Sequence, residues 1–357
     1  MFKGLGLTST PSSGFQLERT REVSDPVIEG YEILTQMELQ ACDIIHDHVY
    51  STYTGIRESS NVIVMEGLGD MLTGAARFFK ELIKKLGEFF KKASMYMASL
   101  FMNFENFIER YKDAILKSEK RYSVYGFEYD FSYKVPQTDT LMRIVTEFNN
   151  EINDVTKMEK DELVKRRDAF VEEGYMDSLR GAILGKTSKI EASDFRDTLF
   201  KMFRSGQDVE REIRVDKGTL VRYMNDYSKL KREFEEVKKE RFKLEKVYNS
   251  LETFFARGAK VEYVGQEKKI RTQTIDVNLK DKKFSAGDYT NNEKTDKNLD
   301  KINYYYSFKL KQAQEISSYS FQAYIERINA LKEAVKFSEK VIRAAIFASP
   351  VEKGDEA

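Results

Sequence analysis

The sequence predicts a mainly α protein, an elongated helical bundle with a long antiparallel helical hairpin and a small β element. Three observations support this fold class. Charged residues make up 33% of the 357 residues, with only 4 prolines and no Trp, which is typical of long helical proteins rather than compact α/β enzymes. Two long stretches repeat apolar residues every three or four positions, which is the spacing of a helix stripe. One short stretch alternates apolar and polar residues, which is the period of a strand.

The first 66 residues are predicted to form an acidic leader with one helix. Residues 1–26 are rich in Ser, Thr, Gly and Pro and are predicted to be irregular. Asp25 followed by Pro26 is a favourable helix start, and the apolar spacing continues to about Thr54. The leader holds ten acids and four bases, a net charge of −6, so the rest of this neutral chain carries +6. No apolar run is long enough for a signal peptide or a membrane span, so we expect a soluble or at most membrane-associated chain.

A basic amphipathic helix is predicted from Met71 to Ile115, with Asp70 as its candidate N-cap, after a loose entry at Gly67 and Gly69. Its apolar stripe is the candidate interaction face, which consists of Phe78, Phe79, Leu82, Ile83, Leu86, Phe89 and Phe90. The candidate basic face consists of Lys80, Lys84, Lys85, Lys91 and Lys92. Six bases and two acids between Arg77 and Lys92 leave a net charge of +4 on this stretch.

Three interpretations of this helix follow from its pattern. The stripe can pack inside a helical bundle, with the lysines in solvent. It can insert into a membrane interface while the lysines contact anionic lipid. It can also fill a groove on another protein of an assembly. The pattern alone does not decide among these interpretations, because all three require the same apolar stripe.

Residues 124–135 change to a period of two. Apolar side chains fall at alternate positions, namely Tyr125, Phe127, Tyr129, Phe131, Tyr133 and Val135. This pattern predicts a half-buried strand that Pro136 ends. A row of aromatic rings can stack on nucleic-acid bases, but the interleaved residues are not basic. We therefore expect the strip to pack on the preceding helix, and residues 67–137 to form one unit.

Short helices are predicted across residues 138–217. The helical spacing is found at about 138–153 and 160–173, and then in shorter pieces that end near Arg204.

A long helical hairpin is predicted for residues 218–349. Residues 218–256 follow an a/d heptad seam that only Arg241 interrupts, and a second long helix is predicted at 299–349. Between them, residues 259–297 contain alternating stretches that predict a short β hairpin and a polar loop. The two long helices would therefore pack as an antiparallel pair with a β tip. Residues 350–357 read as a polar tail.

Catalytic and metal-binding motifs are scarce in the sequence. There is no P-loop, no GxGxxG, no HExxH and no GxSxG motif. The two histidines, His46 and His48, lie close to the single cysteine, Cys42. Cys42 and His46 share a helix face and could hold one metal ion, but a partly buried helix with polar residues at its edge explains the same residues. We therefore predict a non-enzyme with no cofactor and no metal.

Residues 60–135 resemble virion structural proteins of large tailed bacteriophages. In those proteins an acidic leader precedes a Gly-containing, Phe/Lys-rich helix. A sequence of the form FIxxYKxxI and an aromatic strand then follow. The corresponding stretches here are GDMLTGAARFFKELIKKLGEFFKK, FIERYKDAI and FEYDFSY. The resemblance implies an internal head or prohead-core component, located in the virion after synthesis in the host cytoplasm.

The resemblance also implies a processing site. Some proteins of this type are cut by a phage protease after Glu in a hydrophobic-x-Glu context before a small residue. Val64-Met65-Glu66-Gly67 resembles such a site, although Leu or Ile is commoner at the position of Val64. Cleavage between Glu66 and Gly67 would remove the −6 leader from a +6 body. The alternative is an ordinary interdomain loop that happens to contain this sequence.

The predicted partners follow from these interpretations. They are other virion proteins or a second copy of the chain, and packaged DNA by charge alone. The alternative function is a membrane-associated protein that binds anionic lipid through the 71–95 helix. A metal-dependent enzyme at Cys42 and His46 is the third. In the intact chain we expect the Phe-rich stripe to be covered mostly by protein.

Overall fold

The structure is a computed structural model that describes residues 25–57, 61–118, 121–155, 174–258, 262–263, 272–273 and 293–347. Within these ranges the chain forms seven helices and four short strands. The helices are α1 (Pro26–Arg57), α2 (Asn61–Lys117), α3 (Thr138–Val155), α4 (Tyr175–Leu184), α5 (Phe195–Phe203), α6 (Lys217–Gly258) and α7 (Glu293–Phe347). The strands are β1 (Tyr122–Gly126), β2 (Arg211–Val215), β3 (Glu262–Tyr263) and β4 (Thr272–Gln273). The predicted mainly α class with a small β element is confirmed.

Helix α1 begins where the sequence predicts. The Asp25 carboxylate accepts a hydrogen bond from the Val27 N–H at 3.0 Å, and the Asp25 carbonyl accepts the Glu29 N–H at 3.3 Å. These bonds satisfy amide groups that the first turn of a helix leaves unpaired. The helix then continues to Arg57, close to the predicted end at Thr54.

Helix α2 is one continuous helix of 57 residues. The predicted start at Met71 is wrong, because the helix already begins at Asn61 and runs through Gly67 and Gly69. Each glycine costs about 1 kcal/mol in a helix relative to Ala. The neighbouring Leu68 and Leu72 are buried in the bundle, and burying one such side chain contributes about 1.5–3 kcal/mol. At ~1.5 Å per residue the contour length is roughly 85 Å, which is consistent with an elongated bundle.

Helix α7 is the centre of the bundle. It contacts each of the other six helices and strand β1. From Tyr305 to Ala345 most of its side chains are buried, including polar and charged ones. A helix buried around most of its circumference serves as the common core of the elements that surround it.

Helices α6 and α7 form the predicted antiparallel pair. Early residues of α6 face late residues of α7, since the rings of Tyr223 and Phe337 lie 5.8 Å apart. Later in α6, the Tyr248 hydroxyl donates to the Ser317 carbonyl at 3.1 Å. The predicted heptad seam is confirmed, because its members are buried: Tyr223, Tyr227, Leu230, Phe234, Val237, Leu244, Tyr248, Leu251 and Phe255.

The aromatic strip is not the strand that the alternation predicts. Strand β1 covers only Tyr122–Gly126, and it pairs antiparallel with β2 from Tyr122↔Val215 to Gly126↔Arg211. The buried and exposed positions of β1 are also the reverse of those predicted. Val124 and Gly126 are buried, whereas Tyr125 is 58% exposed. The reason is the approach of α7, because a Cβ atom on Gly126 would overlap the Phe337 ring.

Strand β2 lies in a region predicted to contain only short helices. Its sequence, REIRV, has two apolar residues and therefore carries a weak strand signal. Strands β3 and β4 pair antiparallel, which agrees with the predicted hairpin after α6. The predicted helix at 160–173, the irregular start at 1–24 and the tail at 350–357 lie outside the described residues.

Candidate interaction site

The candidate interaction face of α2 lies inside the bundle. Six of its seven residues are buried: Phe78, Phe79, Leu82, Leu86, Phe89 and Phe90. Ile83 is partly buried and packs against the same core. The Phe89 ring contacts Phe321 of α7 at 5.2 Å, and the Phe79 ring contacts Phe255 of α6 at 5.7 Å. In the folded chain this face is therefore covered by α6 and α7 and is not exposed to a partner or to lipid. The expectation that protein covers the stripe is confirmed.

The candidate basic face is divided between solvent and helix α1. Lys80, Lys84 and Lys91 are exposed. Lys85 donates to the Gln36 side chain at 3.2 Å, and Lys92 pairs with Glu29. The hydrogen bond with Glu29 raises the pKa of Lys92. The acidic leader helix thus partly neutralises the basic face, within one chain.

Helix α1 sits in a tight groove between α2 and α7. A Cβ atom at Gly30 would lie 2.8 Å from both Ile325 Cγ1 and Phe89 Cε2, so only glycine allows this approach. The Tyr31 hydroxyl donates to the carboxylate of Glu326 on α7. The carboxylate of Asp25 accepts from Lys332 Nζ at 2.9 Å.

Charged side chains of α7, four of them buried and Glu315 partly buried, are paired with surrounding elements. The bundle contains the following cross-element pairs: Lys309 with Glu151 of α3 at 2.5 Å, Glu315 with Arg180 of α4 at 3.1 Å, Glu326 with Arg196 of α5 at 3.1 Å, Arg327 with Glu240 of α6 at 2.5 Å, and Lys332 with Asp25 before α1 at 2.9 Å. Burial raises the pKa of the Glu326 carboxyl to about 7. Each pair ties α7 to a different neighbour.

The candidate processing and metal residues are placed as follows. The backbone at Glu66 and Gly67 is helical, within α2. Cys42 is an exposed free cysteine on α1, and His46 is exposed on the same helix. Within the described part of the chain, no group of three His, Cys, Asp or Glu side chains could hold a metal ion. None of the helices in the described ranges combines the length and the apolar content that a membrane span requires.

A groove of about 460 Å³ lies between residues 127–132, α6 and α7. We call it the edge groove. Its apolar lining includes Tyr223 and Leu230 of α6 and Ala334 and Phe337 of α7. Its volume is within the range of ligand sites in proteins.

Charged side chains surround the edge groove. Arg222 lies 3.3 Å from Glu128, and Lys229 lies 3.0 Å from Asp226. Counting the full lining, four carboxylates (Glu128, Asp130, Asp226, Glu233) face three cations (Arg222, Lys229, Arg232), which gives a net charge of −1. Burial raises the pKa of the Tyr129 hydroxyl to about 12.

The edge groove was missed by sequence reasoning, although one signal for it exists. Residues Arg222, Asp226, Lys229 and Glu233 alternate in charge along one side of α6. Such a row is typical of a solvated helix face. It indicates a binding groove only once the aromatic strip of residues 127–133 is known to lie opposite, which is a non-local fact.

Comparison with protein-family models, with curated proteins and with solved structures found no match for this chain.

Proposed function

We propose that this protein is a non-enzymatic structural and assembly protein of a large tailed bacteriophage virion, located in the head interior. It acts by contacts with other virion proteins or with a second copy. The observation that best supports a structural role is the pairing of buried charges on α7. Five charged side chains of α7, four of them buried and Glu315 partly buried, are paired with five different neighbours, so these groups serve the bundle itself. The likeness of residues 60–135 to phage virion proteins supports the location.

Buried ion pairs suit an assembly component because they favour one packing register over others. A neighbour that slid along α7 would separate its pair and leave a charge buried without a partner. Such a loss typically costs several kcal/mol. A bundle held in one register presents the same surface to every partner in a particle.

Maturation by cleavage after Glu66 is part of this proposal. A protease that binds extended substrates would have to unwind the first turns of α2, because residues 61–70 are helical. We therefore propose that cleavage takes place before α2 closes on the bundle, or on a form in which this end has opened.

Lipid binding through the 71–95 helix has lost its main support. The apolar residues that would insert into a membrane are buried. Helix α2 would have to leave the bundle before it could bind a bilayer in that way.

The experiment that tests the proposal is mass spectrometry of purified phage particles. We expect the chain to be present, and to begin at Gly67 in mature heads but at Met1 in immature ones. A chain that is abundant in infected cells but absent from purified particles would overturn the proposed function. A chain present in full length in mature heads would overturn only the cleavage.

A further inference from the structure

Residues 127–132 form an extended segment that continues from β1 without a strand partner. The rings of Tyr129 and Phe131 are nearly parallel, at 6° and with centroids 6.3 Å apart. Side chains two residues apart on a strand are separated by about this distance, since the rise is ~3.3 Å per residue. The pairing of β1 with β2 stops at Gly126.

One edge of this segment is hydrogen-bonded. The N–H of Asp130 donates to the Phe203 carbonyl at 3.0 Å. The N–H of Glu128 donates to the Gln207 side chain at 3.4 Å. The N–H of Ser132 is satisfied within the segment, because it donates to the carboxylate of Asp130 two residues earlier at 2.8 Å. These three amides belong to alternate residues, which point to the same side of an extended chain.

The other edge is unpaired. Within the part of the chain that the structure describes, the N–H and C=O groups of Tyr129 and Phe131 have no hydrogen-bond partner. These residues alternate with the paired ones, so their backbone groups point the opposite way. All six residues from 127 to 132 line the edge groove. The segment therefore runs along the groove over its whole length, with unpaired backbone groups at Tyr129 and Phe131.

We infer that the edge groove binds an extended peptide of a partner protein as an added strand. The peptide backbone pairs with the free groups of Tyr129 and Phe131, as in other cases of strand addition. Its alternate side chains are apolar and contact Tyr223, Leu230 and Phe337. Because the lining has a net charge of −1, the peptide carries a basic residue on its other side, near Asp130.

This inference goes beyond the proposed function and does not depend on it. A strand-binding groove would operate in the same way inside a virion or elsewhere. Its test uses the purified full-length chain and needs no particle, so the two proposals can fail separately.

The first experiment measures amide exchange by NMR on chain labelled with ¹⁵N-Tyr and ¹⁵N-Phe. We expect the amides of Tyr129 and Phe131 to exchange fast in the free chain. Excess blocked heptapeptide TVKFTVT, which alternates apolar side chains and carries one Lys, should slow their exchange at least tenfold. Amides on the α6 face of the core, such as Phe234 and Phe255, should not change. Slow exchange at Tyr129 and Phe131 without peptide would overturn the inference.

The second experiment separates strand pairing from charge attraction. Two N-methylated forms of TVKFTVT are compared by fluorescence anisotropy, one methylated on Val and Phe and the other on Thr and Lys. Only one set of N–H groups can face the segment, so one form should bind about tenfold or more weakly and the other should bind like the parent. Equal binding by both forms, or no binding by the parent peptide at millimolar concentration, would refute strand addition.

Two matched variants test whether the negative charge of Asp130 contributes to peptide binding. Asp130→Asn keeps an oxygen that accepts the Ser132 N–H but removes the charge, and it should weaken binding of TVKFTVT about threefold. Glu191→Gln, at an exposed residue between α4 and α5, should leave binding unchanged. If both variants bind like the native chain, then the basic residue is not part of the recognition.

Discussion

At the scale of single residues, Glu326 is a buried carboxyl whose protonation links stability to pH. Its side chain is fully buried, and its carboxylate accepts from Tyr31, from Arg196 Nε and from Asn329 Nδ2. Burial raises the pKa of this carboxyl from 4.5 to about 7. The folded chain therefore holds a proton between pH 4.5 and 7 that the unfolded chain releases. The associated stability is complete below pH 4.5 and is lost as the pH rises through 7.

The substitution Glu326→Gln tests this linkage, because Gln resembles the protonated acid in shape. We expect the native chain to lose up to about 3 kcal/mol more than the variant between pH 4.5 and 8. The variant should equal the native chain near pH 4.5 and exceed it at pH 8. Urea denaturation at a series of pH values measures the difference. Parallel pH profiles for the two chains would show that Glu326 does not titrate in this range.

At the scale of elements, substitutions at two glycines test how closely the helices pack. Gly30→Ala puts a methyl group against the buried side chains of Ile325 and Phe89, and should destabilise the chain by about 1–3 kcal/mol through overpacking. Gly69→Ala meets nothing within 4 Å and should stabilise α2 by about 0.5–1 kcal/mol. Thermal unfolding of both variants provides the comparison. Destabilisation by Gly69→Ala would contradict a continuous helix through residue 69.

The pair Arg327 and Glu240 tests how α6 is held on α7. Arg327 is 1% exposed. Replacing Arg327 with Met leaves the partly buried Glu240 carboxylate without its ion-pair partner. We expect this to lower the free energy of unfolding by about 3–5 kcal/mol. The double variant Arg327→Met/Glu240→Met removes both charges and should recover most of that loss. A double-mutant cycle by urea denaturation measures the coupling. Additive costs would mean that the two side chains do not interact.

Elements with strong local signals were predictable. The start of α1 follows from Asp25 and Pro26, and the seam of α6 follows from its heptads, because both signals lie within a few turns. The pairing of β1 with β2 was not predictable, because the partners are about ninety residues apart and β2 has two apolar side chains. Gly67 and Gly69 suggested a loose entry before the start of α2, but the burial of Leu68 and Leu72 outweighs their low helix propensity.

The candidate site was predictable only in part for a related reason. Periodicity identifies Phe78 to Phe90 as an apolar stripe but contains no information about what covers it. The partner of Lys92 is Glu29, which lies 63 residues away. The edge groove combines the aromatic strip with α6 and α7, and only the tertiary fold brings these three together.

At the scale of the whole molecule, the leader helix is an integral part of the bundle. Helix α1 packs against both α2 and α7, and buries Leu34, Met37 and Ala41 in the common core. Burial of such side chains contributes about 1.5–3 kcal/mol for each of the larger ones. Ion pairs such as Lys332 with Asp25 add to this attachment. Cutting the chain after Glu66 breaks one peptide bond and none of these contacts.

We therefore expect cleavage alone not to release the acidic leader. Residues 1–66 and 67–357, expressed together as separate chains, should copurify as a one-to-one complex in native mass spectrometry. Gly30→Ala in the short chain should weaken that complex because it disturbs the closest approach of α1. A Thr35→Ala variant, at an exposed residue of the same helix, serves as the control. Fragments that separate at micromolar concentration would mean that α1 depends on its covalent link. In that case cleavage would be sufficient to expose the groove between α2 and α7 and the +6 body.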